Sequence, residues 1–71
     1  MEKDICRRFA QRIIALRKEH ELTQEELAYK AGLSTKYLQN LESKKPKKAT
    51  IVTLQKLANG LNIPLWKLLK F

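Results

Sequence analysis

The chain is short and strongly basic. Its 71 residues include 15 Lys and Arg against 7 Asp and Glu, which gives a formal net charge of +8 at pH 7. This length predicts a single domain over residues 1–71 with a thin core, and the charge favours a polyanionic partner. The one cysteine, Cys6, excludes an internal disulfide and a cysteine-based zinc cage.

The N-terminus and the hydropathy of the chain argue against export and membrane insertion. Residues 1–4 are mostly charged and amphipathic sequence follows at once, so the pattern of a signal peptide is lacking. No apolar run approaches transmembrane length. We therefore expect a cytoplasmic protein without a membrane partner.

An amphipathic first helix is predicted from about Asp4 to Glu19. Apolar residues recur along this segment every three to four positions: Ile5, Phe9, Ile13 and Leu16. This spacing places them on one face, which a helix turns toward a core. The opposite face carries the polar residues Arg7, Arg8, Gln11, Arg12 and Lys18.

The chemistry of both ends marks a second helix. Thr23 and Glu26 have the spacing of a capping box, in which each side chain accepts a hydrogen bond from the backbone N–H of the other. Small and apolar residues give this helix a narrow buried stripe: Leu27, Ala28 and Ala31. Gly32 is predicted to end the helix, because glycine adopts the left-handed conformation common at that position at little cost.

A third helix is predicted directly after this glycine. Ser34 is a suitable N-cap, and Leu38 and Leu41 face the core. The opposite face of the helix is polar and carries Thr35, Lys36, Gln39, Asn40 and Ser43.

The second and third helices, at about 23–43, have the pattern of a helix-turn-helix. Ala28 and Gly32 allow the close crossing of two helices that this unit needs. In such units the second helix enters the major groove of DNA and is called the recognition helix. The alternative is an ordinary helical hairpin in a small bundle, but the cap, the glycine and the apolar spacing all agree with the specific unit.

Four lysines flank Pro46 in the segment that follows the third helix: Lys44, Lys45, Lys47 and Lys48. Taken alone, a lysine run is most simply a solvated loop. Beside a helix that reads DNA, these side chains are instead expected to contact backbone phosphates.

The remaining sequence predicts two more helices, for a total of five, and no strands. Thr50 is a plausible N-cap for the fourth helix, and Gly60 or Asn62 could take the left-handed position at its end. The inward residues of this helix are Leu54, Leu57, Ala58 and Leu61. Pro64 suits the first position of a short last helix. Leu65, Leu68 and Leu69 are expected to close the core.

From about Leu16 to Leu69 the sequence resembles the Cro/cI-type (XRE, lambda-repressor-like) helix-turn-helix family. The matching residues lie at 22–28, 31–34, 37–38, 41–42, 54, 57–58, 65 and 68–69. The resemblance implies a compact, all-α, five-helix domain that binds DNA, and it favours Asn62 over Gly60 for the left-handed position. Residues 26–30 and the small size also resemble, more narrowly, controller proteins of restriction–modification systems.

Several polar residues match DNA-contacting positions of this family. The base-reading positions correspond to Thr35, Lys36, Gln39 and Asn40. Lysine can donate to guanine O6 and N7, glutamine or asparagine can pair bidentately with adenine, and threonine can reach a thymine methyl. Gln24 matches a phosphate-binding glutamine. Further phosphate contacts are expected from Tyr37, Ser43, Lys44, Lys45, Lys47, Lys48 and Thr50, with Thr53 as an additional candidate. Tyr37 is equally suited to packing.

Two charged residues match a structural pair in lambdoid repressors. Arg17 and Glu42 correspond to an ion pair that ties the first helix to the end of the recognition helix, and we expect this pair to be partly buried. Lys44 departs from the family, in which a glycine commonly follows the recognition helix. Either Lys44 adopts a left-handed conformation or the turn differs.

Trp66 is a second departure, because its position is usually polar in the family. An exposed tryptophan near Phe71 favours an interaction surface, and a dimer is its natural use because one recognition helix reads only half a site. We expect Ile63, Trp66 and Phe71 at the interface, with Gly60 as a further candidate. The alternative is a tryptophan that folds over its own domain.

These features predict a sequence-specific DNA-binding transcriptional regulator, a repressor or controller protein that binds a palindromic operator as a homodimer. The main alternative is a protein-binding adaptor or antitoxin-like partner with the same fold, although the basic recognition face favours double-stranded DNA. RNA is disfavoured because no aromatic stacking platform is present. We expect no enzymatic activity, cofactor, metal or small-molecule ligand, since the single histidine, His20, has no partner at ligand spacing.

Overall fold

Five α-helices make up the fold, and the connections between them are short. The computed structural model describes the backbone of residues 2–71 and the side chains of residues 4–71. The helices are α1 (Glu2–Glu19), α2 (Gln24–Ala31), α3 (Thr35–Leu41), α4 (Ile51–Gly60) and α5 (Leu65–Leu68). The all-α, five-helix prediction is confirmed. Among the described residues, no helix is both long and apolar enough to cross a membrane.

A single apolar core joins all five helices. Its fully buried large side chains are Ile13, Leu16, Leu27, Leu38, Leu41, Leu57, Leu61 and Leu68. The helix-turn-helix pair α2 and α3 packs on α4, and α5 closes the core between α4 and α1. The prediction of burial is wrong for two residues, since Ile5 is 55% exposed and Leu69 is 42% exposed. Both lie near a chain end, where fewer neighbouring elements are available to cover them.

The helix starts follow the capping chemistry of the sequence. The predicted capping box is confirmed, since Thr23 Oγ1 accepts from the backbone N–H of Glu26 and the Glu26 carboxylate accepts from the backbone N–H of Thr23. Ser34 and Thr50 cap α3 and α4 through their hydroxyl groups. Pro64 lies at the N-cap of α5 rather than at its first helical position.

Three helix ends turn through a residue with positive φ. Gly32 (φ 70°) and Asn62 (φ 56°) are the two residues that the sequence favours for this conformation, and both predictions are confirmed. The third residue is Glu21 (φ 56°), which follows α1 and was not anticipated. The backbone N–H of Leu22 donates to the carbonyl of Arg17 across this turn, so Glu21 closes α1 in the way that glycine closes many helices.

Gly60 lies inside the last turn of α4, where α4 approaches α2 most closely. A Cβ atom at this position would lie 3.0 Å from both the Cβ and the backbone nitrogen of Ala31. The absence of a side chain therefore lets the two helices touch, and this contact sets the position of the helix-turn-helix on the rest of the fold.

Candidate nucleic-acid interface

The exposed face of α3 carries the residues predicted to read bases. Lys36 and Gln39 are exposed on this face, and Thr35 and Asn40 are partly exposed at its edges. Leu38 and Leu41 anchor the other face in the core at 0% and 1% exposure. These two leucines therefore anchor α3 on the core, and its polar residues face the solvent. Ser43 does not share this face, because α3 ends at Leu41 and Ser43 lies in the following turn.

Arg17 and Glu42 form an ion pair beneath the C-terminal end of α3. The Arg17 Nε donates to Glu42 Oε2 at 2.9 Å and Nη2 donates to Oε1 at 3.0 Å, so the contact is bidentate. The two side chains are 14% and 3% exposed. Arg17 Nη1 also donates to the carbonyl of Leu22, which fixes the segment between α1 and α2.

The same carboxylate orients Gln24, the predicted phosphate-binding glutamine. Gln24 Nε2 donates to Glu42 Oε1 at 3.0 Å, so the nitrogen of this amide faces Glu42. One of its two N–H groups remains free to donate elsewhere. Glu42 thus connects the start of α2, the end of α3 and, through Arg17, the side of α1.

The lysine loop, defined here as residues 43–48, follows α3 directly. The side chains of Lys44, Lys45, Lys47 and Lys48 are all exposed. Lys44 does not have a positive φ, so the turn after α3 differs from the glycine turn that is common in the family. The Arg7 Nε of α1 donates to the carbonyl of Lys44 at 3.2 Å. Asn40 Oδ1 accepts from the backbone N–H of Lys47 at 2.9 Å.

Four further hydroxyl groups of this region, those of Tyr37, Ser43, Thr50 and Thr53, form hydrogen bonds within the protein. Tyr37 is half-buried against the core and its hydroxyl shares a 3.3 Å hydrogen bond with Thr53 Oγ1. Thr53 is 7% exposed and also bonds Thr50, so its candidacy as a phosphate contact was wrong. Ser43 Oγ donates to the carbonyl of Asn40 at 2.6 Å. Thr50 itself is exposed beside Lys48.

Ile63, Trp66 and Phe71 are the residues predicted for a dimer interface. Trp66 is 66% exposed, so it does not fold over its own domain. Phe71 is 40% exposed, and its ring packs against Phe9 with centroids 6.1 Å apart. Arg8 lies over the same ring, 5.4 Å from its centroid, and donates to the Phe71 carbonyl. Ile63 is partly buried and packs against the core.

A family model described as helix-turn-helix matches residues 13–65, which is most of the chain. The chain belongs to the Cro/cI-type helix-turn-helix family. The structure of this helix-turn-helix protein is similar to the crystal structure of the restriction–modification controller protein C.AhdI from Aeromonas hydrophila. The two are 33% identical, the match covers 89% of this chain and 94% of that chain, and the TM-score is 0.83. No curated protein is similar enough to be matched to this sequence.

The family membership makes this chain a helix-turn-helix DNA-binding domain. Sequence reasoning missed the contacts by which Arg7 and Asn40 hold the lysine loop. The sequence pattern places Arg7 on the solvent face of α1 and indicates only base reading for Asn40. Neither contact has a sequence signal, because each joins a side chain to a backbone atom of another segment.

Proposed function

We propose that this protein is a sequence-specific transcriptional regulator that binds a palindromic DNA operator as a homodimer. The proposal is carried by one observation: the exposed polar face of α3 lies directly beside four exposed lysines. A polar helix face of this kind suits the major groove, and cations beside it suit the backbone phosphates. We also propose that residues 1–71 act as one domain, in the cytoplasm.

The polar face of α3 provides the donors and acceptors that base reading needs. Lys36 can donate to guanine O6 and N7, and Gln39 can pair with adenine through both atoms of its amide. Both side chains are exposed and project from a helix whose other face is buried. Thr35 and Asn40 flank them along the helix and complete the proposed reading set.

The proposed phosphate contacts come from residues outside the base-reading set. Gln24 has its amide nitrogen oriented by Glu42, which leaves one N–H to donate to a phosphate oxygen. The lysine loop contributes four exposed cations. Tyr37, Ser43 and Thr50 are proposed as weaker contacts, since each hydroxyl already has a partner within the protein.

We propose that the dimer forms through Ile63, Trp66 and Phe71. The Trp66 side chain is 66% exposed, and a large exposed apolar side chain offers contact area to a partner. A two-fold dimer would place two recognition helices on successive major grooves, about 34 Å apart. The likeness to a restriction–modification controller protein supports a regulatory role of this kind. Repression by covering a promoter is the simplest mechanism.

The salt dependence of DNA affinity tests the proposed phosphate contacts. Affinity should fall steeply as salt rises, because each neutralised phosphate contributes about −0.9 to the slope of log K against log salt. Lys47→Ala should reduce the slope by about one. Lys56→Ala is the matched control, since Lys56 is also exposed but lies on α4 outside the lysine loop. Equal slopes for both variants would contradict the proposed contact.

Sedimentation equilibrium tests the dimer. Trp66→Ala should shift the protein toward monomer and weaken binding to a two-half-site duplex, while binding to a single half-site is preserved. Tyr29→Ala is the control, because Tyr29 is 89% exposed but lies on α2. If the wild-type protein stays monomeric on the operator, the dimer proposal is wrong, and Trp66 would serve a different partner.

A further inference from the structure

The side-chain oxygen of Asn40 already accepts a hydrogen bond before any DNA binds. Its Oδ1 lies 2.9 Å from the backbone nitrogen of Lys47. A backbone N–H can only donate, so the atom that accepts from it must be the amide oxygen and not the amide nitrogen. The orientation of the Asn40 amide is therefore fixed by its partner, and Nδ2 and the second lone pair of Oδ1 remain available.

This orientation lets Asn40 hold the loop and contact a base at the same time. Oδ1 has two lone pairs, and the hydrogen bond from Lys47 uses one of them. Nδ2 can donate to the acceptor atoms of the major groove, which are guanine O6 and N7, thymine O4 and adenine N7.

Asn40 also belongs to a set of three contacts that fasten the lysine loop. Ser43 Oγ donates to the carbonyl of Asn40 at 2.6 Å, and Arg7 of α1 donates to the carbonyl of Lys44 at 3.2 Å. The loop is thus held from α3 and from α1. Four lysines in five positions repel one another, and a loop that is fixed in advance loses less conformational entropy when it binds phosphates.

We propose that Asn40 joins base reading to phosphate binding. Its Oδ1 holds the lysine loop against α3 through one lone pair, and its Nδ2 donates to a base edge. This inference rests on the proposed DNA-binding function, and it adds the loop contact to the base reading expected for Asn40 from the sequence.

Amide hydrogen exchange in the free protein tests the clamp without DNA. Exchange of the Lys47 amide should become about tenfold faster in Asn40→Ala, the factor expected for the loss of one hydrogen bond of ordinary strength. Asn40→Asp keeps an acceptor oxygen and should retain the protection. Gln39→Ala, the neighbouring control, should leave the Lys47 amide unchanged. An unchanged Lys47 exchange rate in Asn40→Ala would overturn the clamp.

Base selection tests the reading by Nδ2. The operator position that loses its preference in Asn40→Ala should carry a major-groove acceptor, which means guanine, thymine or adenine, in the wild-type protein. A preference for cytosine at that position, or no position that responds to Asn40→Ala, would overturn this part.

The two experiments distinguish the proposed function from the further inference. A protein that selects no duplex at all contradicts the proposed function and the base reading by Nδ2, while the exchange rate of the Lys47 amide still reports the clamp. A protein that selects an operator but shows no exchange difference contradicts the inference alone.

Discussion

Arg17 and Glu42 join α1 to the end of α3 through two hydrogen bonds of 2.9 and 3.0 Å. The Glu42 side chain is only 3% exposed, and it also accepts from Gln24. One buried carboxylate therefore fixes the relative position of three elements that the proposed DNA contact depends on. The removal of water from both charges offsets much of their attraction, so the main contribution of the pair is orientation.

Removal of one partner from this pair should destabilise the protein strongly. Arg17→Ala leaves a buried carboxylate with only an amide donor, and we expect the free energy of unfolding to fall by about 3 kcal/mol. Urea denaturation measures this change. The neighbouring exposed residue provides the control, and Lys18→Ala should stay within about 0.5 kcal/mol of wild type.

Replacement of both partners by apolar residues separates the contribution of the ion pair to stability from its contribution to the orientation of Gln24. Arg17→Met combined with Glu42→Leu removes both charges, so it should recover most of the stability that Arg17→Ala loses. We expect this double variant to bind DNA less tightly all the same, because Gln24 loses its acceptor. If Arg17→Ala unfolds at the same urea concentration as wild type, the pair is not the buried contact described above.

The contact between Gly60 and Ala31 predicts that Gly60→Ala, a substitution that normally stabilises a helix, destabilises this protein. Gly60→Ala would gain about 1 kcal/mol from helix propensity at an open site. Its Cβ would instead lie 3.0 Å from atoms of α2, including the backbone nitrogen of Ala31. We expect a net loss of about 1–3 kcal/mol in the free energy of unfolding. A Gly60→Ala variant more stable than wild type would show that α2 and α4 can separate at little cost.

Glu21 offers the opposite prediction, a substitution that stabilises. Its φ of 56° is a conformation that costs a residue with a Cβ atom about 1–2 kcal/mol and costs glycine little. Glu21→Gly should therefore raise the melting temperature. The control is Glu19→Gly, which introduces the same residue inside α1 and should lower the melting temperature by loss of helix propensity. Equal effects of both changes would contradict the role of Glu21 as the end of α1.

The capping box of α2 should make stability depend on pH. Hydrogen bonds from the backbone and the side chain of Thr23 lower the pKa of Glu26 below its ordinary value of 4.5. Because the folded state lowers this pKa, the ionised carboxylate stabilises the fold above the ordinary value, and that contribution is lost as pH falls through the folded-state pKa.

Denaturation of wild type and Glu26→Gln over a pH series measures this contribution. Wild type should be more stable than Glu26→Gln near neutral pH, and this difference should be lost as pH falls through the folded-state pKa, below which Glu26 is protonated in both states. Glu25→Gln removes a charge from the same turn without the capping contacts and serves as the control. If wild type stays more stable than Glu26→Gln by the same amount down to strong acid, the difference does not come from ionisation of Glu26.

Local chemistry made much of the fold predictable from the sequence. Thr23, Ser34 and Thr50 cap helices because hydroxyl groups satisfy free backbone N–H groups, a rule that depends only on neighbouring residues. The core side of α3 follows in the same way from the spacing of Leu38 and Leu41. Glu21 was missed because glutamate has no preference for the left-handed conformation, so its residue type does not indicate the turn.

The proposed DNA surface was predictable to a smaller extent. Spacing alone placed Lys36 and Gln39 on the outer face of α3, and both are exposed there. The hydrogen bond from Lys47 to Asn40 joins residues seven apart through a loop, and no periodicity specifies the path of a loop. Arg12 shows the same limit, since its position on α1 predicts solvent exposure and its guanidinium instead donates to the carbonyl of Lys67.

Selection of bound duplexes from a random DNA pool tests sequence-specific reading by α3 most directly. We expect a palindromic consensus bound at least about a thousandfold more tightly than random DNA. Gln39→Ala should relax the base preference at one position of each half-site, while Gln55→Ala on α4 should leave the consensus unchanged. Binding that enriches no sequence and is lost as salt rises would contradict sequence-specific reading by α3.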